Sequence, residues 1–233
     1  MAVPFDQMPG VIWFDGKLIP GPDAKIHVLT HGLHYASAVF EGERAYGGVI
    51  FKSKEHSVRL KNSAAILDFE IPYSVAEIDA AKRMVVEKNG QPNAYVRPIA
   101  WRGSEQLGVS AQGNKIHLAV ATWEWPSYFD PVQRLKGIRL DLAEYRRPDP
   151  RTAPCLAKAA GLYMICTISK HQAERRGYAD AMMLDWRSGS PSAPAPTSSS
   201  SATARSTPRS RTVSSPASPV QPPSISPGAA ASR

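Results

Sequence analysis

Ala157-Lys158-Ala159-Ala160-Gly161-Leu162-Tyr163 sets a single lysine among small and apolar residues. Leu156 to Arg176 reads as a helix opening at this point, with basic residues near its end and Gly177 as its stop. Taken alone, Lys158 is most simply a solvated side chain at a helix start. Held away from water, the same lysine would have a lowered pKa, and its neutral amine could form a Schiff base with an aldehyde.

Upstream of that stretch the chain alternates strand and helix signals. Val11 to Phe14 before Asp15-Gly16 reads as a strand and tight turn, and Lys25 to Leu29 alternates like a second strand. Glu43 to Tyr46 and Val49 to Phe51 flank Gly47-Gly48 as a hairpin. A helix is expected from about Lys54 to Asp68, with Val58, Ile66 and Leu67 on its buried side. Ser74-Val75-Ala76-Glu77 is a capping box, opening a helix that runs to Lys88 and stops at Asn89-Gly90. Ala94 to Trp101, Ile116 to Trp123 and Ile138 to Leu142 read as strands. The pattern predicts an α+β protein with two lobes: residues 1–130, then residues 131–187 as the start of a second lobe.

Composition divides the 233 residues unevenly. Residues 188–233 hold 15 Ser, 9 Pro, 8 Ala, 4 Thr and 4 Arg, with no acid, no Lys and no aromatic. Such a segment buries too little to offset its ordering entropy and is expected to be disordered. It carries +4 of the formal +8 net charge, which weakens any inference from basicity to nucleic acid. A basic tail for RNA or anionic partners on a non-catalytic protein is the rival reading, but four Arg without a stacking aromatic support it poorly. The switch follows Ala181 to Trp186 so abruptly that a shifted reading frame near Arg187 explains it better than a designed linker. Apolar runs fall far short of the roughly 20 residues a membrane helix needs. Two cysteines at unpatterned positions, 155 and 166, and an N-terminus without a secretory pattern lead to an expected cytoplasmic location.

No GxGxxG, GxxxxGK[ST] or GxSxG occurs. His27, His31 and His34 lack acidic or cysteine companions at ligand spacing, so they read as packing or hydrogen-bonding residues and no metal site is expected.

The whole chain resembles the class IV pyridoxal-phosphate aminotransferases, and within them the branched-chain amino acid aminotransferases. The resemblance rests on Trp13-Phe14-Asp15-Gly16, Thr30-His31-Gly32-Leu33-His34-Tyr35, Val39-Phe40-Glu41-Gly42, Glu55-His56-Ser57-Val58-Arg59-Leu60, Ala94-Tyr95-Val96-Arg97-Pro98, Ala157-Lys158-Ala159-Ala160-Gly161 and Glu174-Arg175-Arg176-Gly177-Tyr178. These segments come in order and span about residues 11–187. The resemblance implies the two-lobed fold-type IV architecture, with pyridoxal 5'-phosphate as cofactor and amino acids and 2-oxo acids as its small-molecule partners. A homo-oligomer is also implied, with no nucleic acid and no membrane involved.

By the same resemblance Lys158 holds the cofactor aldehyde and then moves a proton, Arg59 grips the phosphate and Tyr163 meets the ring hydroxyl. Tyr95 and Arg97, two apart on a strand and so on one face, order the substrate carboxylate. Tyr35, Phe40, Trp125 and Tyr128 resemble an aromatic wall for an aliphatic side chain. Arg44 and Arg97 are the candidates for admitting the glutamate carboxylate. The implied reaction is transamination between Leu, Ile or Val and 2-oxoglutarate. A D-amino acid aminotransferase or an aminodeoxychorismate lyase of the same fold would use the same lysine and arginine. The family sets a glutamate against the pyridine nitrogen, and no acidic residue follows Asp185 here. The expectation is therefore that residues 137–187 form an incomplete second lobe and that the chain as written is inactive or folds poorly.

Overall fold

Ala94–Arg102 and Ile116–Glu124 are nine-residue strands that pair antiparallel along their whole length, and each face of the pair has its own use. The computed structural model describes residues 3–124 and 136–187. Its strands are β1 (Val11–Phe14), β2 (Lys17–Pro20), β3 (Ala38–Phe40), β4 (Glu43–Tyr46), β5 (Val49–Ile50), β6 (Ala94–Arg102), β7 (Ile116–Glu124), β8 (Leu140–Leu142) and β9 (Asp180–Met182). Its α-helices are α1 (His31–Tyr35), α2 (Ser53–Ile66), α3 (Val75–Lys88) and α4 (Met164–Arg175). The first seven strands make one antiparallel sheet, six of them in the order β2-β1-β7-β6-β4-β5 and β3 pairing with β6 off this path, while β8 and β9 pair separately in parallel.

The edge of β6 is shared between two partners. Ile99, Ala100 and Trp101 pair with β3, whereas Tyr95 and Val96 pair with β4. Pro98 falls at the changeover, where β6 needs no ladder donor on that side, so a proline is tolerated within a central strand. Its carbonyl accepts from the Glu41 N–H at 2.9 Å, which fixes the Glu41-Gly42 corner between β3 and β4.

Ala94, Val96 and Ala100 of β6, with Leu118 and Val120 of β7 and Trp13 of β1, pack against α2 and α3. The α3 boundaries follow from its caps: Ser74 Oγ accepts from the Glu77 N–H, and Glu77 Oε2 accepts from the Ser74 N–H. Its Ile78, Lys82 and Val85 form the buried stripe, with Lys82 an intruder at an otherwise apolar position. The opposite face of the sheet carries Tyr95, Arg97, Ile99 and Trp101 of β6.

Three expectations need correction. The buried side of α2 is Ser57, Leu60, Ser63 and Ala64, not Val58 and Ile66, which are exposed. Small polar residues take the inner face because each finds a partner: Ser57 Oγ donates to Asp79 (2.5 Å), and Ser63 Oγ accepts from the Lys158 N–H (3.0 Å). Lys25 to Leu29 is no strand. It has no neighbour to pair with, and the chain turns as the Thr30 N–H and Oγ both bond the His27 carbonyl. The helix expected from Leu156 begins only at Met164, after a 3₁₀ turn over Ala160–Tyr163. Tertiary pairing displaces it, because Ala159 bridges Val39 and the Phe40 N–H donates to the Lys158 carbonyl.

The expected lobe boundary near residue 130 lies outside the described residues, as does the tail 188–233. Among the described residues no helix is long and apolar enough to cross a membrane.

Candidate active site

Lys158 leaves the backbone at the point where its segment is stitched to β3. The bridge at Ala159 and the Lys158 carbonyl on Phe40 hold this short extended piece against the sheet. Gly161 then lets the next turn approach α1: a Cβ there would come within 2.9 Å of the Ala36 Cβ. The lysine side chain is thus aimed by an extended segment bridged to β3 rather than by a helix.

Lys158 Nζ lies 2.6 Å from the Tyr163 hydroxyl and 4.8 Å from the centre of the Phe40 ring. Burial pulls its pKa down to about 8. The Glu41 carboxylate opposes that shift, while the Arg59 and Arg97 guanidinium groups add to it. Burial pushes the Tyr163 phenol up to about 12, so it stays protonated at neutral pH. The Phe40 and Tyr163 rings sit 4.8 Å apart. The Arg97 guanidinium lies over the Phe40 ring at 4.7 Å and over the Tyr95 ring at 5.1 Å, and its Nη2 donates to the Tyr95 hydroxyl at 3.0 Å. Arg97 Nε is buried without a hydrogen-bond partner among the described residues, a donor set for an anion.

Arg59, Lys158 and Tyr163 line one open cleft, together with Cys155, Cys166 and Asp180. The structure thereby brings together Lys158, Arg59, Tyr163, Phe40, Tyr95 and Arg97. Arg44 stands opposite Tyr95 in register on β4, with its guanidinium 5.8 Å from the Tyr46 ring. Tyr35 is half exposed on α1, and its ring stacks on His31 at 4.6 Å. Trp125 and Tyr128 lie outside the described residues. The three N-terminal histidines bond backbone groups instead of gathering: His27 accepts from the Leu29 N–H, His31 meets the Gly108 carbonyl and His34 the Val28 carbonyl.

Residues 38–189 match the family model for amino-transferase class IV. The chain belongs to the class IV aminotransferases. It is 40% identical over 185 residues to a probable branched-chain-amino-acid aminotransferase of Rickettsia conorii, covering 79% of this chain and 62% of that one. It is 41% identical over 180 residues to the branched-chain-amino-acid aminotransferase of Pseudomonas aeruginosa, covering 76% and 59% respectively. Among solved structures, the branched-chain amino acid aminotransferase of Escherichia coli superposes with a TM-score of 0.73 at 35% identity, over 77% of this chain and 60% of that one. This class IV chain therefore spans about three fifths of the length of the relatives it matches.

Two groups in the candidate site of this class IV chain escaped the sequence reading. Trp123 faces Tyr95 across the β6–β7 ladder, rings 4.7 Å apart, and lies 5.8 Å from Arg97. Its parity with Tyr95 was the available signal. Glu41 is the second: its buried carboxylate is gripped by Arg59 and His56. The three-residue spacing of His56 and Arg59 on α2 was readable, but their shared partner was not.

Gly42 leaves room for the Tyr95 phenol. A Cβ there would lie 1.9 Å from the Tyr95 hydroxyl. Gly42→Ala must therefore drive the phenol off Arg97 Nη2. On the amino-transfer reading proposed below, the KM for amino acid should then rise by about tenfold, the loss of one charge-assisted hydrogen bond, with the far-UV spectrum unchanged. Steady-state kinetics checks this; an unaltered KM would mean that Tyr95 does not hold substrate.

Proposed function

We propose that this site serves pyridoxal-phosphate-dependent amino transfer between branched-chain L-amino acids and 2-oxoglutarate. The observation that carries the reading is the desolvated Lys158 amine, 2.6 Å from a phenol and sharing a cleft with a guanidinium. That donor set fits pyridoxal phosphate: an amine for the aldehyde, Tyr163 for the ring oxygen, Arg59 for the phosphate. When bound, the cofactor supplies the electron sink for bond cleavage at the substrate Cα.

The remaining roles belong to the chain. Lys158 Nζ, near half-neutral at about pH 8, can accept and return a proton within hydrogen-bond reach. Tyr163 holds that nitrogen in place through its hydroxyl. Arg97, caged by Phe40, Tyr95 and Trp123, offers its Nε to a carboxylate while the rings line an apolar wall. The wall suits an aliphatic side chain because each buried methylene contributes about 0.8 kcal/mol. Two relatives named as branched-chain aminotransferases support the substrate class.

The incomplete second lobe should leave the 233-residue chain slow or inactive, so the test is selectivity: with pyridoxal phosphate and L-glutamate as donor, whatever amino transfer it supports should convert 4-methyl-2-oxopentanoate to leucine at least tenfold faster than pyruvate to alanine, since three more carbons reach the wall. Conversion that requires D-glutamate, or that prefers pyruvate, would overturn the reading.

A further inference from the structure

Glu41 is a carboxylate beside the cleft whose side chain is inaccessible to solvent. Its backbone is pinned at the β3–β4 corner by the bond to the Pro98 carbonyl. Three donors converge on it. Oε1 accepts from Arg59 Nε at 2.6 Å, and Oε2 accepts from Arg59 Nη2 at 2.6 Å and from His56 Nδ1 at 2.9 Å. A carboxylate only accepts, so Nδ1 carries the imidazole proton. The 3.4 Å approach of Arg59 Nη2 to Nδ1 is then donor against donor and adds nothing. Burial alone would raise the Glu41 carboxyl, yet the arginine and histidine hold it below the usual carboxylate range.

The fork commits Nε and one hydrogen of Nη2. The Nη1 hydrogens take no part in the fork, and the Arg59 side chain, 48% exposed, lines the cleft. A long side chain that would otherwise sample many rotamers is held in one.

We infer that Glu41, supported by His56, is a positioning residue that presents Arg59 to a phosphate monoester, although the carboxylate itself never meets the ligand. The inference rests on the cofactor reading proposed above. It also opposes simple Coulomb reasoning. A negative charge beside a phosphate site should weaken binding, so removing it should tighten binding. Positioning predicts the reverse.

The test is titration of the full chain with pyridoxal phosphate and with unphosphorylated pyridoxal, followed by absorbance. Glu41→Ala should weaken pyridoxal phosphate by about three- to tenfold, the effect of having to immobilise one long side chain on binding, and leave pyridoxal unchanged. Glu41→Gln, which keeps one arm of the fork, should fall between. Arg59→Ala with Glu41→Ala should be no weaker than Arg59→Ala alone, because the effect passes through the arginine. His56→Ala removes a partly exposed ring, opens no core cavity, and should move the phosphate affinity in the same direction if Glu41→Ala fails to fold. Equal losses for both aldehydes, unchanged binding, or tighter binding would overturn the inference while leaving the cofactor reading intact. A wild-type chain that binds neither aldehyde, or binds both without help from Arg59, would remove the cofactor reading and this inference with it.

Discussion

Lys158→Ala will leave no cofactor attached after borohydride reduction, whereas the wild-type chain will carry a reduced phosphopyridoxyl group on the peptide containing residue 158. Any amino transfer should fall by about 10²–10⁴-fold, the range associated with a positioned proton carrier. Capture should also report the site's electrostatics. Burial disfavours the ammonium, so the amine becomes reactive through a midpoint of about 8 instead of the ordinary lysine value. The capture rate should rise between about pH 6.5 and 9 and then level off. Stability follows with a definite sign. The folded lysine releases its proton at lower pH than the unfolded one, so the unfolded state binds more protons between about 8 and 10.5. Wild-type stability should rise across that window. The alanine variant, freed of a buried cation, should melt higher than wild type at about pH 7, with the gap narrowing by about pH 10. Covalent capture elsewhere, or a rate that climbs only above about pH 10, would defeat the assignment of Lys158.

Why Lys158 was findable and Glu41 was not is a matter of what local sequence encodes. The α3 helix was legible because its start is a four-residue hydrogen-bond pattern and its stop is a glycine at positive φ, both local. The hairpin around Gly47-Gly48 was legible for the same reason. The inner face of α2 was misread because Ser57 and Ser63 are buried by virtue of partners on α3 and at Lys158, 22 and 95 residues away. Lys25 to Leu29 alternates as a strand would, but alternation creates no partner strand. At Leu156 the apolar period was real, yet a bridge to β3 displaced the α-helix over its first eight residues. The candidate site residues were reached through resemblance of ordered segments. The geometry adds the side chains that have no motif of their own: Trp123 by strand parity, and Glu41 by convergence of two helix residues on one corner.

Lys82→Ala should be the most damaging substitution outside the cleft. The ammonium is inaccessible to solvent on α3, and its three hydrogens meet three acceptors: the Glu43 carboxylate at 2.9 Å, Asp79 at 3.0 Å and the Ser53 carbonyl at 2.9 Å. Asp79 is further satisfied by the Ser53 and Ser57 hydroxyls, but Glu43 has burial against it, which pushes its carboxyl up to about 7 even beside the lysine. Breaking such a pair by deleting one partner costs about 3–5 kcal/mol, because the other charge stays buried. Against a usual total of about 5–15 kcal/mol, that brings the domain close to unfolding. The loss should depend on pH in a fixed direction. Glu43 binds its proton more tightly folded than unfolded, so stability falls as pH rises through the window from about 4.5 to about 7, and further in the variant. Denaturant melts should therefore show a smaller deficit at about pH 5 than at about pH 8. Lys82→Met combined with Glu43→Leu replaces the pair with apolar groups and should recover most of the loss, Asp79 keeping its two serines. Because Glu43 anchors β4 next to Gly42 and Glu41, cofactor capture should fail with Lys82→Ala under the more alkaline condition and return with the double substitution. A variant that stays fully stable at both pH values would mean that the sheet corner holds without its buried cation.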